Sequence, residues 1–395
     1  MSEPWLDVVG IGEDGVDGLA PPAKEALRRA AVVIGGDRHH DLAPDITAEC
    51  RRWPSPFDAM IDEIRSLRGR RPALLVTGDP LWYSVGARIL RSIPAAEVRF
   101  HPQLSAFQWA ACRMGWSLAD CTTLTVHGRP VEQIVPHVAP RARLLVLTQN
   151  RDTPASVAAL LREGGFGASR MTALAALGGP REQRFDATAD GWAHDVPHFH
   201  TLAIECVGTE RLPLTGLPDD AFEHDGQITK RDVRATTLAK LAPFPDAVLW
   251  DVGLGCGSVS VEWMRAARGA QAFGIEPKRE RRAMAERNAR RLGVARLKIV
   301  EGHAPDALDG LPQPDAAFIG GGLSDAVFDR CREALPPGGR LVANVVTLES
   351  EGLLLDLHAR HGGELARIAV AHADAVGPYR GWRSAMPVTQ WSWTK

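Results

Sequence analysis

The sequence predicts an α/β fold, in which short strands of largely parallel sheets alternate with helices, divided over two domains. Apolar runs such as 73–77 and 143–148 alternate with segments of helical periodicity, which is typical of layered α/β proteins. The chain has 395 residues, which is long for a single hydrophobic core. The stretch 211–226 has two prolines, four acidic residues and little periodicity. We therefore expect a surface linker there, between domains at 1–210 and 227–395.

The elements of the first domain follow from its apolar runs and helix signals. Strands are predicted at 5–9, 31–34, 73–77, 98–101, 122–126, 143–148 and 201–207, and helices at 21–30, 56–68, 83–92, 105–114, 130–138 and 153–163. Pro21 and Pro22 suit the first turn of a helix, and Ser105 is a natural N-cap.

The second domain begins with a predicted helix at 228–240, and Thr229 could cap it. Strands are predicted at 247–252, 271–275, 297–300, 315–319 and 340–345. Residues 278–298 hold nine basic side chains and two acidic ones, on the helix after the second of these strands. A solvated helix face accounts for this charge, and steering of an acidic substrate is the alternative.

A glycine-rich loop at 251–258 carries the strongest functional signal. Apolar residues run into Asp251-Val-Gly-Leu-Gly-Cys-Gly-Ser258, and glycines at a strand–helix turn let the backbone approach a ligand closely. Glu276 ends the next strand and is placed to accept hydrogen bonds from a ribose diol. A dinucleotide fingerprint would have a third glycine at Ser258. The loop thus indicates a nucleoside cofactor, with a dinucleotide and a plain turn as alternatives.

A second glycine pattern lies at Gly10–Gly15 and satisfies G-x-G-x-x-G. Asp37 could then serve as the acid that binds a ribose. In a dinucleotide fold, however, the helix opens near the third glycine and faces the pyrophosphate. The prolines at 21 and 22 place the first helical turn about six residues later, which weakens the assignment to NAD.

Composition excludes several other classes of protein. A net charge of −2 gives no electrostatic footprint for nucleic acid. The six cysteines, at 50, 112, 121, 206, 256 and 331, contain no C-x-x-C pair, so we expect neither zinc nor disulfides but a reducing compartment. No signal peptide and no apolar stretch of ~20 residues is visible, so we expect a cytoplasmic protein that has no membrane partner.

His194, His198 and His200 lack an accompanying carboxylate or thiolate, and we interpret them as structural or surface residues.

Four motifs of the first half occur in an order that resembles the tetrapyrrole methylases. They are Gly78-Asp79-Pro80, Pro102–Ala106, His127-Gly128-Arg129 and Leu147–Asn150. The resemblance covers residues 5 to about 208 and is best for the branch that methylates C5 of a precorrin. The chain departs from the family at Gly12-Glu13-Asp14, where Gly-Pro-Gly is usual, and at Pro102-Gln103, where Pro-Gly is common.

This resemblance implies two α/β subdomains that hold S-adenosylmethionine (SAM) in a cleft between them. The residues that it implies for SAM binding are Gly78, Asp79, Leu81, Ser105, Ala106, Leu147 and Thr148. His127 and Arg129 would lie on the substrate side, although a His-Arg pair after a strand is usually structural.

The second half resembles the class I SAM methyltransferases, which have a Rossmann-like fold. Residues 229–234 (TKRDVR) followed by 250–263 (WDVGLGCGSVSVEW) are similar to the decarboxylating C15-methyltransferases of corrin biosynthesis, and the similarity spans about 225–390. The residues that it implies for SAM binding are Thr229, Gly253, Leu254, Gly255, Cys256, Gly257, Glu276 and Ala304. His303 stands where many class I enzymes carry an acid. Arg231, Arg234, Arg380 and Arg383 are candidates for pairing with substrate carboxylates.

Together the two resemblances imply a SAM-dependent C-methyltransferase of cobalamin biosynthesis. It would methylate a precorrin at C5 and C15, decarboxylate the ring C acetate, and use two SAM sites per chain without a metal. We expect a homo-oligomer that binds this tetrapyrrole and neither nucleic acid nor membrane. The alternatives are a two-domain NAD(P)-dependent oxidoreductase and a SAM-dependent methyltransferase of RNA or of another small molecule.

Overall fold

The computed structural model describes residues 4–209 and 212–395. The chain forms two compact units, one of Met1–Val131 with His137–Glu210, and one of Glu132–Pro136 with Arg211–Lys395. Within the described residues, no helix is both long and apolar enough to cross a bilayer.

The first unit begins with a parallel five-stranded sheet in the order β3-β2-β4-β1-β5. Its elements are β1 (Leu6–Ile11), α1 (Pro21–Arg29), β2 (Val32–Gly35), α2 (Asp37–Asp41), β3 (Glu49–Arg52), α3 (Met60–Ser66), β4 (Pro72–Thr77), α4 (Gly86–Leu90) and β5 (Val98–His101). Apolar clusters cover both faces of the sheet. Burial on both faces explains why its central strands are continuous apolar runs.

The second sheet of this unit has the order β6-β7-β10-β8-β9. Its elements are α5 (Ala106–Met114), β6 (Thr122–Thr125), β7 (Arg143–Leu147), α6 (Thr153–Glu163), β8 (Arg170–Ala175), β9 (Gln183–Thr188) and β10 (His200–Glu205). Only the β6–β7 pairing of this sheet is parallel, and its other three pairings are antiparallel. Residues 131–137 form a 3-10 helix in place of the α-helix predicted at 130–138.

The second unit contains a seven-stranded sheet in the order β13-β12-β11-β14-β15-β19-β16. Its elements are α7 (Arg231–Leu241), β11 (Val248–Val252), α8 (Ser258–Ala266), β12 (Gln271–Ile275), α9 (Arg279–Arg291), β13 (Lys298–Val300), β14 (Ala316–Ile319), α10 (Asp325–Ala334), β15 (Arg340–Val345), α11 (Leu348–His361), β16 (Glu364–Ile368) and β19 (Val388–Thr394). β11 to β15 pair in parallel, and β19 joins them in antiparallel. Between β16 and β19, the strands β17 (Ala371–Val376) and β18 (Tyr379–Ser384) form an exposed hairpin.

The stretch that the sequence predicts to be a linker is packed against the second unit. Leu217 is completely buried and Phe222 is 4% exposed, and both belong to the same core cluster as Trp263. The amides of Gly216 and Leu217 donate hydrogen bonds to the buried carboxylate of Glu262, at 2.6 and 2.9 Å. The expectation of a surface linker is therefore wrong for this part of the stretch, because its scattered apolar residues fill the core.

Candidate functional site

A large cavity of the second unit lies at the carboxyl ends of β11, β14 and β15, where α/β sheets bind their ligands. It has a volume of about 1140 Å³. Its walls come from the glycine loop, the segment before α7, the ends of β14 and β15, and the strands at the C-terminus. Lining residues from the glycine loop are Asp251, Gly253, Leu254, Gly255, Cys256 and Ser258.

The glycines of the loop differ in what surrounds them. Gly253 has φ +78°, and a Cβ there would lie 2.8 Å from the amide nitrogen of Gly321. Gly255 has φ +57°, and a Cβ there would have no protein atom closer than 3.9 Å. Gly253 therefore permits two loops of the protein to pack together, whereas Gly255 presents bare backbone to the cavity. A ligand can approach the main chain at Gly255.

Glu276 holds the glycine loop in place. It follows β12 and is 3% exposed. One carboxylate oxygen accepts from the amide of Gly255 at 2.9 Å, and the other accepts from the amide of Lys278 at 3.0 Å. Each oxygen retains a second lone pair. The contact with a ribose that the sequence predicts for Glu276 stays a prediction.

Asp251 supplies a free acceptor atom to the same cavity. Its Oδ2 accepts from the hydroxyl of Ser260 at 2.6 Å, and its buried Oδ1 has no hydrogen-bond partner among the described residues. Burial, with a smaller contribution from the nearby charge of Glu276, raises the pKa of Asp251 to about 6. A buried carboxyl with an unused oxygen favours a ligand that brings a donor or a positive charge. The cationic methionine part of SAM meets that requirement.

The opposite walls of the cavity suit a larger molecule than a nucleoside. Thr229, Lys230 and Arg231 line it at the start of α7. Apolar side chains line it on the C-terminal strands: Ile368, Val370, Met386 and Val388. Positive groups beside an apolar wall can bind a flat apolar molecule that carries carboxylates.

Arg234 does not line this cavity, and its prediction as a substrate-binding residue is wrong. Its side chain is completely buried. The guanidinium donates to Glu262 at 2.6 Å, to Asp219 at 3.1 Å, to the carbonyl of Thr229 at 2.5 Å, and to the carbonyl of Leu217. Its donors are thus occupied by the protein itself, whereas Arg231 faces the cavity.

Of the remaining residues that the sequence singles out in this unit, Ala304, Arg380 and Arg383 are not among the cavity-lining residues, and the cap of α7 differs from the prediction. Lys230, and not Thr229, occupies the N-cap of α7. Arg383 pairs with Asp374 at 3.2 Å on the exposed hairpin, where Arg380 also lies. Ala304 packs against the core cluster that contains Leu308. Their contacts with substrate or cofactor stay predictions.

The first unit has a narrow cleft between its two sheets. Gly78 and Ala106 line it, as do Gly12 and Thr77 on the first sheet's side and Thr201 on the second's. Gly78 has φ +60°, and a Cβ there would lie 3.1 Å from the Cα of Ser105. The two loops that the sequence assigns to SAM therefore meet at the carboxyl edge of the first sheet.

Local hydrogen bonds fix the loops beside this cleft. Asp79 accepts from the amide of Leu81 at 2.7 Å, which closes the Gly-Asp-Pro turn. Ser105 is the N-cap of α5, as predicted, and forms a capping box with Gln108. Thr148 is buried after β7, and its hydroxyl donates to the carbonyl of His200 at 2.6 Å.

Two groups in the cleft were not predicted from the sequence: the Glu13–Arg38 pair and His200. Glu13, at the position where the chain departs from the family, accepts two hydrogen bonds from Arg38. The guanidinium of Arg38 also donates to Thr77 at 3.1 Å and lies 3.8 Å from the ring centroid of Phe199. Arg38 and Phe199 are far apart in sequence, so no local pattern could connect them.

His200 is the second of these groups. It is 6% exposed and lines the cleft, so it is not a surface residue, and its prediction as a structural residue stays a prediction. Nδ1 lies 2.8 Å from the carbonyl of Pro197, and Nε2 has no hydrogen-bond partner within the part of the chain that the structure describes. Burial lowers the pKa of His200, which favours the neutral ring. By contrast, His198 is exposed.

His127 and Arg129 are exposed and are not part of the cleft lining. The Arg129 guanidinium lies 5.7 Å from the ring centroid of Tyr83. Their substrate-side role stays a prediction.

Comparison with known families assigns the two halves separately. Residues 6–191 match the model of the tetrapyrrole (corrin/porphyrin) methylases. Residues 220–395 match the model of the precorrin methyltransferase domain.

Three relatives extend this assignment. A precorrin-6Y C(5,15)-methyltransferase [decarboxylating] from Sinorhizobium sp is 50% identical over 399 residues, 99% of this chain and 97% of the relative. A probable cobalt-precorrin-6B C(15)-methyltransferase (decarboxylating) from Pyrobaculum calidifontis is 36% identical over 44% of this chain and 92% of its own length. A cobalt-precorrin-7 C(5)-methyltransferase from Salmonella typhimurium is 30% identical over 41% of this chain and 80% of its own. With half of its residues identical to the first relative over nearly the full length of both, the chain belongs to the family of decarboxylating precorrin-6Y C5,15-methyltransferases.

Proposed function

We propose that this chain methylates a precorrin at C5 and C15 and decarboxylates its ring C acetate, with SAM as methyl donor, in cobalamin biosynthesis. The observation that carries the proposal is the match to a bifunctional relative over 99% of the chain. Two relatives named for only one methylation each match less than half of the chain. The second unit has a ligand-sized cavity at the carboxyl edge of its parallel sheet, and the first has a narrow cleft at the corresponding edge.

We propose one SAM site in each unit. In the first unit the site comprises Gly78, Asp79, Leu81, Ser105, Ala106, Leu147 and Thr148. In the second it comprises Thr229, the loop Gly253–Gly257, Glu276 and Ala304. Support comes from the open backbone at Gly255 and from the free Oδ1 of Asp251, which both fit a cationic nucleoside.

SAM supplies a methyl group on a sulfonium, which needs a carbon nucleophile held in line with the C–S bond. The meso carbons of a reduced tetrapyrrole are nucleophilic through conjugation, so the protein contributes chiefly position and orientation. In the second unit, Arg231 and Lys230 would bind substrate carboxylates, while Val370 and Met386 would contact the macrocycle. The macrocycle accepts the electron pair left by the departing CO₂.

We assign C5 methylation to residues 1–210, and C15 methylation with decarboxylation to residues 227–395. The packed stretch 212–226 belongs structurally with the latter. The alternative of an NAD(P) oxidoreductase is not supported: α1 begins at Pro21, several residues beyond Gly15.

We also propose a homo-oligomer in the cytoplasm. Tyr379 and Trp382 are 78% and 79% exposed on the β17–β18 hairpin, and large exposed aromatic residues are typical of protein contacts. All six cysteines are unpaired, which suits a reducing compartment.

The direct test is incubation of the chain with SAM carrying a ¹³C-methyl group and with a reduced precorrin that lacks both meso methyl groups. NMR of the product should show label at C5 and at C15, and mass spectrometry should show loss of CO₂. Label on any other carbon, or transfer to RNA instead, would contradict the proposal.

A further inference from the structure

The unpartnered imidazole nitrogen of His200 is the feature of the first cleft that calls for a ligand. The carbonyl of Pro197 can only accept a hydrogen bond, so Nδ1, 2.8 Å away, carries the proton. Nε2 then has a free lone pair. It is buried, has no partner among residues 4–209 and 212–395, and belongs to a side chain that lines the cleft. A buried acceptor left unpaired is costly, and a donor on a bound ligand would relieve that cost.

The surroundings of His200 restrict what this ligand can be. Apolar side chains make up much of the lining: Leu104, Ala106, Trp109, Leu174, Ala176 and Leu177. The charged groups that line the cleft, Glu13 and Arg38, are paired with each other. A polycarboxylate would find no unpaired cation among the described lining residues. This lining favours an uncharged, largely apolar ligand with an N–H donor at its edge.

We propose that Nε2 of His200 accepts a hydrogen bond from the 6-amino group of the adenine of SAM, and thereby selects a 6-aminopurine over a 6-oxopurine. The inference rests on the proposed function, in which this cleft binds SAM. A 6-oxopurine would place a carbonyl acceptor against the lone pair of Nε2, and neither atom could donate.

The protein holds His200 in this orientation from two sides. The Pro197 carbonyl fixes the ring through Nδ1, and the Thr148 hydroxyl donates to the His200 carbonyl at 2.6 Å. Both contacts position the acceptor before any ligand binds, which favours specificity.

The experiment is calorimetric titration of the full-length protein with S-adenosylhomocysteine and with its 6-oxo analogue, S-inosylhomocysteine. All proteins carry Gly255→Asn, which we expect to block the cofactor loop of the second unit, so that the first cleft alone is titrated. We expect the parent to bind the adenosine compound at least about tenfold more tightly than the inosine compound, which is the usual effect of one buried hydrogen bond.

Two substitutions test whether binding depends on a hydrogen-bond acceptor at the Nε2 position and not on the imidazole ring itself. In His200→Asn the amide can still donate to Pro197 but does not reach the Nε2 position, so affinity for the adenosine compound should fall at least about tenfold and the preference should vanish. In His200→Gln the amide reaches that position and can present either its oxygen or its NH₂. This variant should bind both compounds. His198→Asn, at an exposed histidine, should behave as the parent.

The outcomes distinguish this inference from the function on which it rests. Equal binding of the two compounds by the parent, or an undiminished preference in His200→Asn, overturns the role of His200 and leaves the cofactor site intact. If the parent binds neither compound while its melting temperature matches that of wild type, both the first cofactor site and this inference are wrong.

Discussion

Arg234 and Glu262 form an ion pair whose side chains are both completely buried, with Nε donating to Oε1 at 2.6 Å. Glu262 also accepts from the amides of Gly216 and Leu217, and Arg234 also donates to the carbonyl of Thr229. Through this pair, α8, which begins at the glycine loop, is joined to the segment that forms the facing wall of the cavity.

Removing one partner of the pair should destabilise the second unit. In Arg234→Met the carboxylate of Glu262 stays buried without its cation, which typically costs about 3–5 kcal/mol. Chemical unfolding of the full chain, followed by tryptophan fluorescence, measures the loss. The control is Arg287→Gln, which breaks the exposed pair with Glu223 and should leave the unfolding transition unchanged. Equal effects of the two substitutions would contradict the structural role of Arg234.

The packed stretch before α7 sets the boundary at which the second unit can be expressed alone. A fragment beginning at residue 212 retains Leu217 and Phe222, whereas a fragment beginning at residue 225 lacks both and leaves Glu262 with fewer donors. Burial of each such side chain contributes about 1.5–3 kcal/mol, so the shorter fragment should be less stable by several kcal/mol. Urea unfolding of the two fragments compares them, and identical midpoints would show that the stretch is a linker after all.

Gly255 should tolerate a side chain structurally but not functionally. Asparagine adopts positive φ more readily than most residues, and no protein atom would obstruct its Cβ. Gly255→Asn should therefore fold normally while SAM affinity of the second unit falls on the order of 100-fold, because the side chain fills the space of the ligand. Gly338→Asn is the matched control, since Gly338 also has positive φ and open surroundings. It lies just before β15, at the amino ends of the parallel strands, whereas the cavity lies at their carboxyl ends. Unchanged SAM binding in Gly255→Asn would place the cofactor elsewhere.

The raised pKa of Asp251 predicts a pH-dependent stability difference. The pKa of this carboxyl is near its ordinary value of 3.8 when the chain is unfolded and about 6 when it is folded. Its contribution is therefore fully present below pH 4 and is lost as the pH rises through 6. Asp251→Asn cannot ionise, so its stability relative to wild type should increase between pH 4 and pH 7, by up to roughly 3 kcal/mol. Thermal melts across this range measure it, and a constant difference would contradict the shift.

The sequence predicts the parallel parts of the fold well, for a physical reason. Strands such as β4, β11 and β14 are buried on both faces and are therefore continuous apolar runs. β9 alternates exposed and partly buried residues, and the hairpin of β17 and β18 is almost wholly exposed. Such strands carry little apolar signal, and they were not predicted.

The same contrast applies to the site residues. Glycine loops have local sequence patterns because each glycine answers a local backbone requirement, as at Gly78 and Gly253. By contrast, Arg231 and Arg234 are three residues apart with the same chemistry, and only the packing of α7 against α8 decides which one is buried. The position of His200 in the cleft depends on its contact with Thr148 and on the opposite wall of the cleft. Tertiary contacts of that kind leave no local pattern.

The central claim is that one chain carries two separate methylation sites and that decarboxylation belongs to the second. The most direct measurement is mass spectrometry of the precorrin product formed by wild type and by Gly255→Asn with SAM in excess. We predict a wild-type product that is heavier by two methyl groups and lighter by one CO₂. Gly255→Asn should give a product that is heavier by one methyl group and retains its CO₂. Loss of CO₂ in the folded Gly255→Asn protein, or loss of both methylations, would contradict the account.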